Sequence, residues 1–308
     1  MSRKQSKSNA QNGKNKGKKS NLVIYILAFL ILIAGVAIFS YPAVSNYLQT
    51  INHANAISVY DEAVKQKSQD ELESELKKAE EYNNTLMGDP VRDPFMPGSG
   101  YTLPKNYMSV LNIENNGMMG YIEIPKISVN LPIYHTTSEA VLQKGVGHIE
   151  STTLPIGGKG KHSVLTGHTG LPSAELFTRL SELGIGDKFY IKVLGQTLAY
   201  KVIEINVVMP DELENLVSEK ERDLVTLVTC TPYGVNSHRL LVKGERCAYN
   251  DNDENNDGKS SSLFGGRYHY YIVGIVIALS IVLVAVIIIV IIAKIRKRIR
   301  KNEQKKKE

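Results

Sequence analysis

The chain has 308 residues, of which 43% are hydrophobic, so it can bury the core of one or two domains. Much of its formal net charge of +6 comes from two tails, MSRKQSKSNAQNGKNKGKKS at the start and KIRKRIRKNEQKKKE at the end. Each basic tail adjoins a long apolar run. We therefore expect the tails to meet the anionic head groups of membrane lipids, and we predict no binding to nucleic acid.

Two apolar runs are long enough to cross a bilayer as helices, one over residues 22–41 and one over residues 270–293. A buried core helix is the alternative, but the window 272–293 contains no charge at all. The first run could also be a cleaved signal peptide. No clean small-x-small cleavage site follows it in YPAVSNY, which favours an uncleaved anchor.

Basic residues flank the outer ends of both runs and predict which side of the membrane each tail occupies. They are Lys14, Lys16, Lys18 and Lys19 before the first run, and Lys294, Arg296, Lys297, Arg298 and Arg300 after the second. Lys/Arg-rich flanks stay in the cytoplasm. We expect a two-pass protein of the cell membrane with both termini cytoplasmic and residues 42–269 on the extracellular face.

The segment 57–87 is charged, with apolar residues at helical spacing, and predicts one or two amphipathic helices. The residues that suggest this face are Val59, Ala63, Leu72, Leu76 and Ala79. A Pro- and Gly-rich stretch follows, MGDPVRDPFMPGSGYTLPKN, which predicts a loop.

From Gly120 onward the sequence predicts a mainly β domain. Seven short runs are typical of strands: GYIEIPKI, VNLPIYH, HSVLTGH, DKFYIKVLG, TLAYKVIEINVVMP, DLVTLVTC and HRLLVKGER. Three short helices are expected between them, in SEAVLQKG, SAELFTRLSEL and MPDELENLVSEKER. Many short strands with few helices favour a closed or nearly closed β-barrel. The polar stretch NDNDENNDGKSSS then predicts a flexible linker.

The stretch TLVTCTPYGVNSHRLLVKGER places Cys230 at the end of one strand and Arg239 at the start of the next. Cysteine is an intrinsically strong nucleophile, but at its ordinary pKa only about 3% is thiolate at pH 7, so it needs a histidine partner. An arginine supplies directional donors to an oxyanion. A lone cysteine is otherwise often a small buried apolar residue, a reading that leaves Arg239 unexplained.

The sequence offers seven histidines as the partner. His168 in VLTGHTG follows an apolar strand and starts a loop, so we favour it over His148 in GVGHIE. His238 should point away from its neighbour Arg239 in an extended strand. The others are expected to be surface or linker residues: His53, His135, His162 and His269. Cys247 could pair with Cys230, but such a bond would block a working thiol, so we expect both cysteines to be free.

These motifs resemble those of a known enzyme family. TLVTCTPYGVNSHRLLVKG is similar to the TLxTC…R signature of sortases, and LTGHTG is similar to their catalytic-histidine segment. The DPF sequence at residues 93–95 and the second apolar run resemble class C sortases, which polymerise pilins in Gram-positive bacteria. The resemblance covers roughly residues 80–247 and implies an eight-stranded sortase β-barrel.

The resemblance also implies roles. Cys230 attacks the Thr–Gly carbonyl of an LPxTG-like sorting signal, His168 transfers protons, and Arg239 steadies substrate and oxyanion. A lysine amine of another pilin subunit resolves the acyl-enzyme. The loop residues Asp93, Pro94 and Phe95 form a lid, in which Asp93 reaches Arg239 and Phe95 covers Cys230.

Two other functions stay open. One is a housekeeping or other-class sortase that anchors surface proteins to cell-wall peptide, and the other is a non-catalytic membrane-tethered binding barrel. We expect no cofactor and no metal. The acidic residues of the linker resemble a calcium loop in composition only, without EF-hand spacing: Asp251, Asp253, Glu254 and Asp257. GGKGK lacks the P-loop pattern.

The sequence thus predicts eight consecutive segments. They are a basic tail at 1–21, a transmembrane helix at 22–41, a helical membrane-proximal segment at 42–87, a lid loop at 88–106, a barrel domain at 107–248, a linker at 249–269, a transmembrane helix at 270–293 and a basic tail at 294–308.

Overall fold

The computed structural model describes residues 6–86, residue 95, residues 106–216 and 218–250, and isolated positions between 274 and 302. The chain divides into two compact units, residues 44–266, and residues 1–43 with 267–308. The predicted linker at 249–269 and second transmembrane helix at 270–293 lie outside the described residues, apart from residues 249 and 250 and a few single positions.

Two helices precede the barrel, α1 over Ser6–Gln66 and α2 over Gln69–Thr85. Within the described residues, Phe29–Gln66 is the one helical segment long and apolar enough to cross a membrane by length and composition. It overlaps the first predicted span. α2 begins at a capping box, in which the Ser68 hydroxyl accepts from the Glu71 amide and the Glu71 side chain accepts from the Ser68 amide.

The buried face of α1 is offset from the predicted one. Ile57, Tyr60 and Val64 are buried, whereas Val59 is 52% exposed. The Tyr60 hydroxyl donates to the Met119 carbonyl and accepts from the Leu194 amide, both at 3.0 Å. This tyrosine therefore joins the helix to two separate parts of the barrel. On α2, Ala79 is fully buried, as the sequence predicts.

Eight strands form a closed barrel in the order β1-β2-β3-β4-β7-β8-β6-β5. Their bounds are Met118–Ile124 (β1), Val129–Tyr134 (β2), Val146–His148 (β3), Lys161–Thr166 (β4), Lys188–Val193 (β5), Gln196–Val208 (β6), Asp223–Thr231 (β7) and His238–Arg246 (β8). The pairs β2–β3 and β4–β7 are parallel, and the others are antiparallel. The predicted barrel is confirmed. β3 is the strand that the strand patterns missed.

Closure of the barrel depends on a glycine at the β1–β5 pairing. A Cβ added at Gly120 would lie 2.4 Å from the Lys192 carbonyl oxygen, which belongs to backbone and cannot turn aside. Gly120 also sits at a register shift between β1 and β2. The missing side chain thus lets the first strand approach the fifth.

The helices predicted between the strands have different outcomes. The one or two helical turns predicted in SEAVLQKG are confirmed. α3 spans Glu139–Leu142 within SEAVLQKG. The predicted helix in SAELFTRLSEL is wrong: that segment consists of turns and a short 3-10 helix at Leu180–Glu182. A 3-10 helix at Pro210–Asn215 lies between β6 and β7.

The expectation of surface or linker histidines is wrong for three of the four. His53, His135 and His162 are at most 8% exposed, and His269 lies outside the described residues. His162 contacts the Thr226 hydroxyl at 2.8 Å, and both His135 ring nitrogens lie within 2.9 Å of backbone carbonyls. Backbone and hydroxyl partners therefore make the positions of His135 and His162 suitable for buried imidazoles.

His148 is fully buried in a hydrogen-bonded network. The Tyr107 hydroxyl lies 2.9 Å from Nδ1, and the Thr153 carbonyl lies 2.9 Å from Nε2. A neutral ring protonated on Nε2 satisfies both, because the hydroxyl then donates to Nδ1 and Nε2 donates to the carbonyl. Burial lowers the pKa of His148 to about 4.

This depressed pKa predicts a loss of stability in mild acid. The unfolded chain protonates His148 near pH 6.5, whereas the folded chain protonates it only near pH 4. Between these values unfolding takes up a proton, so the free energy of unfolding decreases as pH falls through this window, by up to about 3 kcal/mol. Denaturant titrations of the full chain in detergent at pH 7 and pH 5 measure the change.

His148→Gln keeps a donor and an acceptor but does not titrate. We expect this variant to be less stable at pH 7 and to lose less stability at pH 5 than the wild type. An unchanged pH dependence in the variant would contradict the assignment of the effect to His148.

Candidate active site

Cys230 and Arg239 are directly opposite each other on the antiparallel strands β7 and β8. Side chains of opposed residues in such a pair share one face of the sheet, with Cβ atoms about 4.5–5.5 Å apart. Cys230 is 8% exposed and Arg239 is 4% exposed. The prediction that Cys230 and Arg239 lie opposite each other near the ends of adjacent strands is confirmed, and their catalytic roles stay a prediction.

The Arg239 guanidinium is held by the turn that joins the two strands. Its Nη1 donates to the Asn236 carbonyl at 3.1 Å and to the His238 carbonyl at 3.0 Å. A buried charge is costly unless hydrogen bonds compensate it. The turn backbone therefore both stabilises the cation and limits where its remaining donors can point.

His168 follows β4, which runs parallel to β7. The last pair in their register is Thr166 with Val228, so continuing it by two residues brings His168 alongside Cys230. Two hydrogen bonds extend the pairing past the end of the strand: the Gly167 amide donates to the Val228 carbonyl at 3.1 Å, and the Thr229 hydroxyl donates to the Gly167 carbonyl at 2.6 Å. The histidine is thus positioned by the strand that carries the cysteine.

The other side of the histidine segment is fixed by Phe177. Its amide donates to the His168 carbonyl at 3.1 Å. Its ring packs so closely that a Cβ at Gly167 would lie 2.9 Å from it. The glycine before the histidine is therefore required by packing. This requirement gives a structural reason for the TGH sequence.

The His168 imidazole is 17% exposed and lies between an acidic and an aromatic side chain. Its Nε2 is 3.5 Å from Oε2 of Glu139, within ion-pair distance but at the outer limit of a hydrogen bond. Nε2 makes no hydrogen bond to the described part of the chain. We therefore treat the contact with Glu139 as electrostatic. The sequence analysis did not select Glu139, because nothing in SEAVLQKG distinguishes it from any first-turn acidic residue.

Phe95 of the predicted lid lies against the same two functional side chains. Its ring centroid is 5.4 Å from that of His168 and 5.2 Å from Cζ of Arg239. The second distance is within the range of a cation–π interaction. Asp93 and Pro94, the other predicted lid residues, lie outside the described residues.

The two cysteines form no disulfide bond. Cys247 follows β8, and its amide donates to the Ala199 carbonyl at 2.9 Å, so its place is next to β6. Among the described residues, no group of three or more His, Cys, Asp or Glu side chains could hold a metal ion. The acidic stretch 251–257 lies outside them.

A thiol, an imidazole and a guanidinium are thus placed at one end of the barrel, where β4 and β7 end and β8 begins. His148, the other candidate histidine, is hydrogen-bonded to Tyr107 and Thr153 in the core. Of the two, His168 is the histidine whose segment pairs with the strand that carries Cys230.

Comparisons with known proteins identify the family that the sequence motifs resemble. A model of the sortase domain matches residues 122–247. Among solved structures, sortase C-1 from Actinomyces oris is 49% identical with a TM-score of 0.56, over 58% of this chain and 99% of that chain. Sortase C from Streptococcus pneumoniae is 42% identical with a TM-score of 0.58, over 63% of this chain and 97% of that one.

Relatives are also found among curated proteins. Sortase A of Bacillus anthracis is 30% identical over 134 residues, which are 44% of this chain and 62% of that protein. Sortase D of Bacillus subtilis is 29% identical over 43% of this chain and 66% of that protein. The chain thus spans about two thirds of the length of these curated relatives. On the family match and the solved structures, the chain belongs to the sortase family of cysteine transpeptidases, and class C sortases are among its similar structures.

Proposed function

We propose that this sortase assembles pili. It cleaves an LPxTG-like sorting signal between Thr and Gly and joins the acyl group to a lysine amine of another pilin subunit. The observation that carries the proposal is the pairing of Cys230 with Arg239, with His168 brought alongside through β4. The similar structures support the pilus role, since the sortase C of Streptococcus pneumoniae acts on pilin substrates and another similar structure is a sortase of a group B streptococcal pilus island.

In the first half of the proposed reaction, Cys230 acts as a thiolate and His168 as an imidazolium. The sulfur attacks the Thr carbonyl, and Arg239 donates to the developing oxyanion from a buried position. The C–N bond breaks as His168 gives its proton to the leaving Gly amine. A thioester on Cys230 and a neutral His168 remain.

In the second half, an uncharged lysine amine attacks the thioester carbonyl. His168 takes a proton from the attacking nitrogen, the C–S bond breaks, and the electron pair returns to sulfur. The products are an isopeptide bond and the original thiolate and imidazolium. Because the energy of the peptide bond is kept in the thioester, no metal or nucleotide is needed.

A cell-wall anchoring sortase is the second candidate, and the likeness to Sortase A of Bacillus anthracis favours it. Both candidates share the acyl-enzyme and differ in the acceptor amine. The contact of Phe95 with His168 and Arg239 supports the first, since by resemblance a lid over the site is a feature of the pilin-joining class.

Substitution of the proposed catalytic residues tests the function. Mixed with an LPxTG-type peptide, the full-length protein should gain the mass of the acyl fragment on Cys230, and Cys230→Ala should gain none. Cys247→Ala is the matched control and should react like the wild type. Arg239→Lys should lose most activity, because a point charge cannot reproduce the planar fork of guanidinium. Full activity of Cys230→Ala would end the proposal.

We also propose a two-pass topology, with both termini cytoplasmic and the barrel on the extracellular face. The support is the apolar helix at Phe29–Gln66 together with the basic flanks of both apolar runs. Protease added to intact cells stripped of their wall should then cut residues 42–269 and spare epitope tags at both ends. Cleavage of either tag under these conditions would contradict the topology.

The loop around Phe95 is proposed to act as a lid. The ring contacts with His168 and Arg239 support this, since a cation–π interaction contributes about 0.5–2 kcal/mol. Asp93 and Pro94 belong to the same proposal by sequence. The closed state would limit access to Cys230 until a substrate selects the open one.

Phe95→Ala tests the lid through the reactivity of the thiol. In a Cys247→Ala background, which leaves Cys230 as the single thiol, the substitution should raise the rate of labelling by a soluble thiol reagent about five- to tenfold. Asp93→Ala removes only the predicted contact with Arg239 and should raise it less, because Phe95→Ala removes ring contacts with both His168 and Arg239. Met108→Ala, at a residue 46% exposed on the barrel, is the control and should change nothing. Equal rates in all variants would show that the loop does not cover the site.

A further inference from the structure

Glu139 is held at the edge of the site with one carboxylate oxygen turned towards His168. It begins α3, the short helix that follows β2. Its Oε1 accepts a hydrogen bond of 2.7 Å from Nε2 of Gln143, one helical turn later. Its Oε2 is the atom 3.5 Å from His168 Nε2. The side chain is 68% exposed, so a solute can reach this carboxylate from solvent.

The segment before α3 is also fixed. The Thr137 amide and hydroxyl donate to the two carboxylate oxygens of Glu150, at 3.2 and 3.3 Å. Glu150 is thereby hydrogen-bonded to the amide and hydroxyl of Thr137, whereas Glu139 has the Gln143 side-chain amide and the His168 imidazole as its partners. Glu139 is the carboxylate that the described structure places at His168.

The charge of that imidazole changes during the proposed reaction. Before acylation His168 is a cation and faces Glu139. After it has given its proton to the leaving amine it is neutral, so the carboxylate loses its cationic neighbour. The next substrate to arrive is a lysine side chain, which is an ammonium in solution at neutral pH.

We propose that Glu139 binds the ε-ammonium of the acceptor lysine in the acyl-enzyme, an inference that rests on the proposed function. The ammonium then supplies the positive charge near Glu139 that the imidazolium supplied before acylation. It lies next to His168, which later receives its proton. It loses one proton to solvent, attacks the thioester as the amine and gives a second proton to His168. The C–S bond then breaks and sulfur leaves as the thiolate. Glu139 stays ionised throughout.

Binding of the ammonium by Glu139 would favour amines over water as acceptors of the acyl group. Water carries no charge for Glu139 to attract, so the carboxylate raises the local concentration of lysine without raising that of water. The attraction is between exposed groups. We therefore expect an effect of about three- to fivefold, decreasing as salt is added.

Two acceptors that differ in charge test the proposal. The acyl-enzyme of the full-length protein is formed in detergent with an LPxTG-type peptide, then chased with Nα-acetyl-lysine amide, which is cationic, or with hydroxylamine, which is uncharged at neutral pH. Glu139→Gln keeps the acceptor for Gln143 but removes the charge. It should raise KM for the lysine compound about three- to fivefold and leave the reaction with hydroxylamine unchanged.

Two further variants serve as controls. Glu73→Gln removes the same charge from a second Gln–Glu pair one helical turn apart, on α2, where Gln69 Nε2 donates to Glu73 at 3.3 Å. It should leave both acceptors unaffected. Gln143→Ala keeps the charge but frees the carboxylate. It should weaken lysine use by less than Glu139→Gln does. In about 1 M salt the wild type and Glu139→Gln should react alike with lysine.

The outcomes are distinguishable. An equal loss with both acceptors would mean that Glu139 acts only through His168, and no loss with either would mean that it has no role in the reaction. Either result overturns the inference and leaves the proposed function intact. If the wild type forms no thioester on Cys230, the proposed function fails and the inference fails with it.

Discussion

The pairing of Cys230 with Arg239 places a permanent cation in a buried position beside a thiol. Such a charge costs several kcal/mol to desolvate, and the surrounding chain has to compensate it. The Asn236 carbonyl of the β7–β8 turn and the His238 carbonyl at the start of β8 accept from the guanidinium, and the Phe95 ring centroid lies 5.2 Å from its Cζ. The hydrogen bonds to these carbonyls and the contact with Phe95 therefore meet the same requirement. In the proposed reaction, attraction between the guanidinium and the negative charge on sulfur or on the oxyanion offsets this desolvation cost.

The second requirement is that a histidine reach this position from a different part of the sequence. A parallel pairing between β4 and β7 meets it, because the ends of parallel strands lie at the same edge of a sheet. Thr229 then extends the pairing through its hydroxyl to Gly167. Its neighbour in sequence is Cys230, so a shift of β7 would move the cysteine and the histidine together. The geometry between the two is in this way protected from small movements of the barrel.

How much the sequence reveals depends on how local the determinant is. Alternation of apolar residues identifies seven strands, and the TLVTC…R motif identifies the hairpin, because both patterns are set by near neighbours. β3 has only three residues, Val146–His148, and its identity as a strand comes from distant partners on β2 and β4. The buried face of α1 is missed because apolar residues lie on more than one side of the helix, and only packing against the barrel selects Tyr60 over Val59. The burial of His135 and His148 depends in the same way on carbonyls and a tyrosine that no local pattern identifies.

Glu139 shows that functional residues, too, can depend on contacts that no local sequence pattern identifies. In sequence it is an ordinary acidic residue in the first turn of a short helix, and only the closure of the barrel brings it to His168. Its carboxylate faces a cation in one half of the proposed cycle and a neutral ring in the other. A fixed negative charge next to a group that alternates in charge stabilises, in each half, the positive species that lies beside it. Before acylation that species is the imidazolium that must donate its proton, and after acylation it is the ammonium that must supply the amine. In the proposed cycle one carboxylate therefore assists both halves without itself exchanging a proton.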